Sequence, residues 1–236
     1  MIALGFWVYH HKSKDAKINC LLLYVYNGIQ TYNEALKKPL PNRTKRLAFN
    51  FSAAREQSWR VAIHSYLSSS SFGGEYDPNE PYDSTRNLAA AFSVPRKDDP
   101  LSARRFDPGA YFRLDFEKDA LGMRYTEVLR IAGSGTLGDG FDGRNEIPDG
   151  NSNTILLVYA PDCEILWTKA CDLDVDEAGD CGLTAARWLR ESERYALFAD
   201  GSIWQLSRST TLEDFRAMCT IAGGEIVDMS AHRRIP

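Results

Sequence analysis

Few residues in this chain have types and spacings that could do chemistry. Asp172, Asp174, Asp176 and Asp180 alternate through DLDVDEAGD, a spacing at which carboxylates converge on a hard cation such as calcium. An EF-hand loop begun at Asp172 needs glycine at its sixth position and a bidentate glutamate at its twelfth. Glu177 and Leu183 stand there instead, which excludes the EF-hand. Two readings stay open: a looser calcium site on these four acids, or a solvated acidic loop. Gly133, Gly135 and Gly138 spell G-x-G-x-x-G after VLRIA, which reads as a strand. A dinucleotide site requires a helix to open at the third glycine, so that its N-terminus meets the pyrophosphate. The chain continues instead as DGFDGRNEIPDGN, with no helical period, so a glycine-rich loop is expected.

The five cysteines are Cys20, Cys163, Cys171, Cys181 and Cys219. An odd count leaves at least one thiol unpaired, and no C-x-x-C or nearby histidine suggests zinc. Buried thiols are one reading. A Cys163–Cys171 or Cys171–Cys181 bridge is the other, and it requires an oxidising compartment. The chain has no G-x-S-x-G elbow, no H-E-x-x-H and no phosphate-loop lysine motif, so catalysis has no positive support and a non-enzymatic protein is expected.

The elements that would position these residues fall into two regimes. Ile18, Leu22, Val25, Ile29, Tyr32 and Leu36 recur at steps of four and three. They form one apolar stripe, which predicts a helix over 18–37 that Pro39 and Pro41 end. Residues 57–67 repeat the pattern weakly, with His64 beside the stripe as a core or boundary histidine. A short helix is expected at 84–92, closed by Pro95, inside a proline-rich stretch that comes after the serine run 68–71. From 109 the period turns towards two: 109–117, 154–159 and 164–168 read as strands. Asp200-Gly201 between YALF and IWQL predicts a hairpin whose two central residues both tolerate positive φ. A last helix over 211–221 starts from Thr210 or Thr211 with an acid three residues on. Gly223 and Gly224 stop it, and 225–227 is read as a closing strand. Helices first and antiparallel strands afterwards make the fold class α+β. Asp149-Gly150 and Asp200-Gly201 are expected at turns, and Trp59, Trp167 and Trp204 in the core.

The chain has 236 residues with 44% hydrophobic and 25% charged, enough to bury a core and too apolar for wholesale disorder. Its net charge of −4 provides no basic field for nucleic acid, and no nucleic-acid partner is expected. The apolar stretches 2–9 and 20–26 are far short of the ~20 residues that a spanning helix needs, so no transmembrane segment is expected in this chain. The N-terminus also lacks the basic region and cleavage site of a secretory leader.

Several segments, taken in order, resemble a bacterial pilin-like family known as domain of unknown function 1559, with a prepilin-type N-terminus and a C-terminal H-x9-DG signature. CLLLYVYNGIQTYNEALKKPLP (20–41) resembles the end of its pilin-type helix. QSWRVAIHSYL with EYDPNEPYDSTRNLA (57–89) resembles its SWR…EPWDS…N block. EIPDGNSNTILLV (146–158) and ILWTKACDL (165–173) resemble its DG-x-SNTI and W-T-x-x-DL stretches. FADGSIWQLS (198–207) and IAGGEIV (221–227) resemble its closing DGS and GGE segments. The chain departs from the pattern where Arg96 replaces a cysteine, Tyr159 a glutamate and Arg190 the histidine of H-x9-DG. Gly5-Phe6 also lacks the adjoining glutamate of pilins.

The resemblance implies a type IV pilin-like fold, an N-terminal helix packed on an antiparallel sheet, with 1–17 the remnant of the pilin-type segment and 18–236 the globular domain. It implies a non-enzymatic structural role at the cell surface or in a secretion system such as type II, among other pilin-like subunits or secretion proteins met through the 18–37 stripe. The expected location is extracytoplasmic, membrane-associated if a leader lies upstream, and otherwise cytoplasmic. Calcium is a ligand of some secretion pseudopilins. The alternative is therefore a soluble degenerate paralogue acting as a binding module, calcium-dependent through the four acids.

Overall fold

The structure, a computed structural model, describes residues 13–37, 40, 58–67, 76–77, 79–91, 112, 125–138, 147–161, 163–176, 181–225 and 227–236. The serine run, Pro39, Pro41, Pro95, Arg96, Asp180, Gly5-Phe6 and all of the 109–117 strand except Phe112 lie outside them.

Helix α1, Lys14–Leu36, begins four residues before the apolar stripe because Ser13 caps it. The Ser13 hydroxyl accepts from the Ala16 N–H at 3.3 Å, and Asp15 sits in the positive first turn. Ile18, Leu22, Val25, Ile29 and Tyr32 are buried as the periodicity predicts, joined by Leu21. Leu36 is 43% exposed. The chain leaves the helix at Lys37, whose φ of 51° breaks the turn, so the last position of the stripe has nothing to pack on. Helix α2, Trp59–Leu67, crosses α1 at Gly28, where any side chain would run into Leu67. Tyr32 and Tyr66 meet edge to face across the same contact, centroids 5.4 Å apart.

Helix α3, Thr85–Ala91, starts after Ser84, whose hydroxyl accepts from Asn87 N–H at 3.1 Å. The fully buried Asn87 organises the preceding loop. Its amide donates to the carbonyls of Asp77 and Pro81, both at 2.9 Å, and its Oδ1 accepts from Asp77 N–H at 2.7 Å.

The main sheet has six strands in the order β5-β2-β3-β6-β7-β8. They are β2 Val128–Ala132, β3 Ile155–Tyr159, β5 Leu173–Asp174, β6 Tyr195–Phe198, β7 Ile203–Gln205 and β8 Arg233–Ile235. All neighbours are antiparallel except β2 and β5, which run parallel. The expected strand at 164–168 shrinks to β4 Ile165–Leu166, which pairs separately with β1 Tyr125–Thr126. No strand forms at the described residues 225 and 227, and the sheet is closed instead by β8. The α+β class holds, with α1 lying on an almost wholly antiparallel sheet.

Alternation along each strand feeds two cores. Val128, Leu157, Tyr159, Tyr195, Leu197, Ile203 and Ile235 face α1 and α2. Leu129, Ile131, Val158, Ala196 and Phe198 face the opposite way. There they meet α4 Ala185–Glu191 and α5 Leu212–Cys219 through Trp188, Phe215 and Met218. An irregularity between Ile155 and Leu157 swaps the sides, so that Ile155 packs with the second core and Leu157 with the first. Of the second helical layer, α5 meets the expected last helix and its capping box forms between Thr211 and Asp214, whereas α4 has no counterpart in the sequence reading.

Candidate functional site

Two clusters bring together the residues that the sequence singles out. The first is buried. Trp59 and Arg60 open α2 and point at Asp172, which precedes β5. The Asp172 Oδ1 accepts from Trp59 Nε1 at 2.9 Å, Arg60 Nη2 at 3.0 Å and the Arg130 backbone N–H at 3.1 Å. Arg60 spends its other donors on the Val128 carbonyl at 3.0 and 2.8 Å, the Cys171 carbonyl at 3.2 Å and the Ser58 hydroxyl at 3.0 Å. Arg130 Nε lies 3.8 Å from the second oxygen of Asp172. Burial lowers the pKa of both guanidinium groups, and the shared carboxylate pulls each back up. Arg60 is fully buried and committed on every side, so this arrangement clamps α2 to the sheet.

The second cluster lies at the sheet end where β3 begins and the β6–β7 hairpin turns. Asp149 precedes Gly150, which has φ 87°, in a turn closed by Gly150 N–H to the Ile147 carbonyl at 2.8 Å. Its carboxylate reaches 74 residues along the chain to accept the N–H groups of Gly223 at 2.7 Å and Gly224 at 3.0 Å. The Asp149 N–H donates to the Ile221 carbonyl at 3.2 Å. The expected turns at 149–150 and 223–224 are therefore one feature. The hairpin joins it through Asp200 N–H to the Asn151 carbonyl at 3.1 Å and Ala199 N–H to the Thr154 carbonyl at 2.8 Å.

The hairpin turn differs from the expected form. Gly201 N–H donates to the Phe198 carbonyl at 2.9 Å, so Ala199 and Asp200 are the central residues. Only Gly201, with φ 84°, takes a positive φ. This is a turn with a left-handed residue after it, which needs glycine once rather than twice. Asp200 fixes it by accepting the N–H and hydroxyl of Ser202 at 2.9 and 2.7 Å. Tyr26 of α1 donates to the Ala199 carbonyl at 3.2 Å, tying the helix to this end of the sheet.

The acidic run is dispersed. Asp172 turns inward to Arg60; Asp176 accepts the Ser134 N–H at 2.9 Å, and Asp174 accepts the Asp176 N–H at 3.0 Å. Among the described residues no three metal-ligating side chains come together. The glycine-rich segment continues β2 into a loop: Thr136 bridges to Thr220, and no helix opens within the described residues up to Gly138. Trp59 and Trp167 are in the core as expected, at 2% and 0% exposed. Trp204 is not. It lies on β7 between β6 and β8, only partly buried against the second core, donating to the Ser202 hydroxyl at 3.2 Å under the guanidinium of Arg234.

Cys171 and Cys181 form a disulfide, Cα atoms 5.8 Å apart. Cys163 stays a thiol that donates to the Thr126 carbonyl at 3.0 Å, and burial pushes its pKa up to about 11. It lines a shallow cleft with Pro161, Trp188, Arg187 and Glu191. Arg187 beside it pairs with Glu191 at 2.7 Å. Arg190 is exposed and Tyr159 buried. The residue that sequence reasoning missed is Arg60. Its signal was an arginine placed directly after a core tryptophan in an apolar helical segment.

Comparison of the chain with protein-family models, curated proteins and solved structures finds no match.

Proposed function

We propose that this chain is a non-enzymatic pilin-like or pseudopilin-like structural protein that works outside the cytoplasm, at the cell surface or in a secretion system. One observation carries the reading: the segments that resemble the pilin-like family are bonded to each other, behind a long N-terminal helix laid on an antiparallel sheet. SWR meets the W-T-x-x-DL stretch through Arg60 and Asp172. The DG-x-SNT segment meets GGE through Asp149 and meets DGS through Asn151 and Thr154. Motifs scattered over the chain thus form two sites whose work is to hold the fold. The Cys171–Cys181 disulfide supports an oxidising compartment. Among the described residues no helix is long and apolar enough to cross a membrane.

The stripe of α1 is consumed by the chain's own core, so the partners proposed here, other pilin-like subunits or secretion proteins, meet the outer side of that helix. Leu23 and Tyr24 are exposed there at 36% and 39%. A photo-cross-linking residue at Leu23, introduced in the source cells, should capture another pilin-like subunit. A chain that is abundant yet captures no neighbour from this position contradicts the reading.

A further inference from the structure

We propose that the Cys171–Cys181 disulfide is a redox-sensitive latch on the docking of α2 against the sheet. Two consecutive residues, together with the Val128 carbonyl of β2, take the buried polar groups of the first turn of α2. Asp172 receives Trp59 Nε1 and Arg60 Nη2, and the Cys171 carbonyl receives Arg60 Nη2. Those two residues are held in turn by the Arg130 N–H on the Asp172 carboxylate, by burial and by a short strand. Strand β5 starts at the next residue and pairs with β2 through only two residues, in the parallel sense. The covalent hold on this segment is the bond from Cys171 to Cys181.

Exposure is graded across the bridge: Cys171 is 1% exposed, whereas Cys181 is only partly buried. A dithiol therefore attacks at the Cys181 sulfur. Its thiolate forms a mixed disulfide there and expels the Cys171 thiolate, which takes up a proton. The second thiol of the reagent then closes on the first, releasing Cys181 as a thiol. The dithiol is oxidised to its disulfide, and the protein gains two protons and two electrons. With the bridge open, residues 171 and 172 keep the two-residue β5 ladder, the Arg130 N–H on the Asp172 carboxylate and their burial, and the acceptors of the buried end of α2 are held less firmly. The strands β3, β6 and β7, which pair through longer antiparallel ladders, do not depend on the bridge. Oxidation locks α2 and reduction loosens it, whichever compartment the chain occupies, so this inference does not rest on the pilin-like reading.

Hydrogen–deuterium exchange on the full chain, oxidised and then reduced with dithiothreitol, tests it. Reduction should speed exchange of the amides in 59–67 by about ten-fold or more and leave those of β6 and α5 within about two-fold. Unchanged exchange in α2 overturns the proposal. An equal rise in every element overturns it as well, because the bridge would then act on global stability only. Cys181→Ser should reproduce the reduced pattern without reagent. In the oxidised Asp172→Asn variant α2 should already be loose, and reduction should add nothing further there. Additive effects of the two changes contradict the latch. Should Asp172→Asn fail to fold, reduction and Cys181→Ser decide by themselves.

Discussion

With two backbone N–H groups on its carboxylate, Asp149 fastens the exposed GGE loop to the start of β3. Asp149→Ala should cost about 0.5–1.5 kcal/mol in urea unfolding, since water can take up the exposed donors, and Asp149→Asn, which keeps one good acceptor, less. Equal stability of the alanine variant would show that water replaces the carboxylate at no cost. At Gly201 the penalty is conformational: φ is 84°, and a side chain there would also press on Tyr26 at 3.2 Å. Gly201→Val should lower stability by about 1–3 kcal/mol, read as a fall in Tm; an unchanged Tm places the turn elsewhere. His64 is a third test. Burial against Trp167, ring centroids 5.7 Å apart, lowers its pKa from 6.5 to about 4. The unfolded chain binds the proton first, so stability is full above pH 6.5 and falls as the pH drops towards 4. The loss reaches about 3 kcal/mol at the lower end. Unfolding curves of the wild type and His64→Leu should diverge over that window; parallel curves would remove His64 as the cause.

At the scale of elements, α2 adds a buried charge cluster to its apolar packing whereas α1 rests mainly on apolar packing, and that difference explains what the sequence could show. The α1 stripe is a local period, and each of its buried side chains contributes about 1.5–3 kcal/mol by leaving water, so pattern and structure agree from Ile18 to Tyr32. The Thr211–Asp214 box and the Asp200-Gly201 turn are local as well, and both were legible. Arg60 and Asp172 stand 112 residues apart, and no local pattern marks their pairing. Strand β8 has a single buried residue, Ile235, among two exposed arginines, too little for a period of two. Helix α4 is seven residues long and rests on the Thr184 cap and on Trp188. Residues 225–227 read as a strand by composition, yet the described residues 225 and 227 are in no strand, and the glycines before them give their N–H groups to Asp149. The cluster also predicts an ordering. Asp172→Asn leaves two buried guanidinium groups, Arg60 and Arg130, without their counter-charge, whereas Arg60→Met leaves Asp172 facing Arg130 and takes a donor from the Val128 and Cys171 carbonyls and the Ser58 hydroxyl. The first should cost roughly 3–5 kcal/mol and the second less; the reverse order in denaturant unfolding would mean that Arg60 works mainly through the Val128 carbonyl.

On the scale of the whole molecule, the sheet is covered on both faces, by α1 and α2 on one side and by α4 and α5 on the other. Among the described residues Asp172 turns to Arg60 and Asp176 to the Ser134 N–H, the glycine-rich segment is a loop as far as Gly138, and Cys171 and Cys181 are bridged. The central claim is a structural role outside the cytoplasm, and the most direct measurement is N-terminal sequencing of the native protein from fractionated source cells. Such a role predicts a processed N-terminus in a membrane or surface fraction, with Cys171 and Cys181 oxidised. An unprocessed Met1 in the soluble cytosol, with both cysteines reduced, would contradict it.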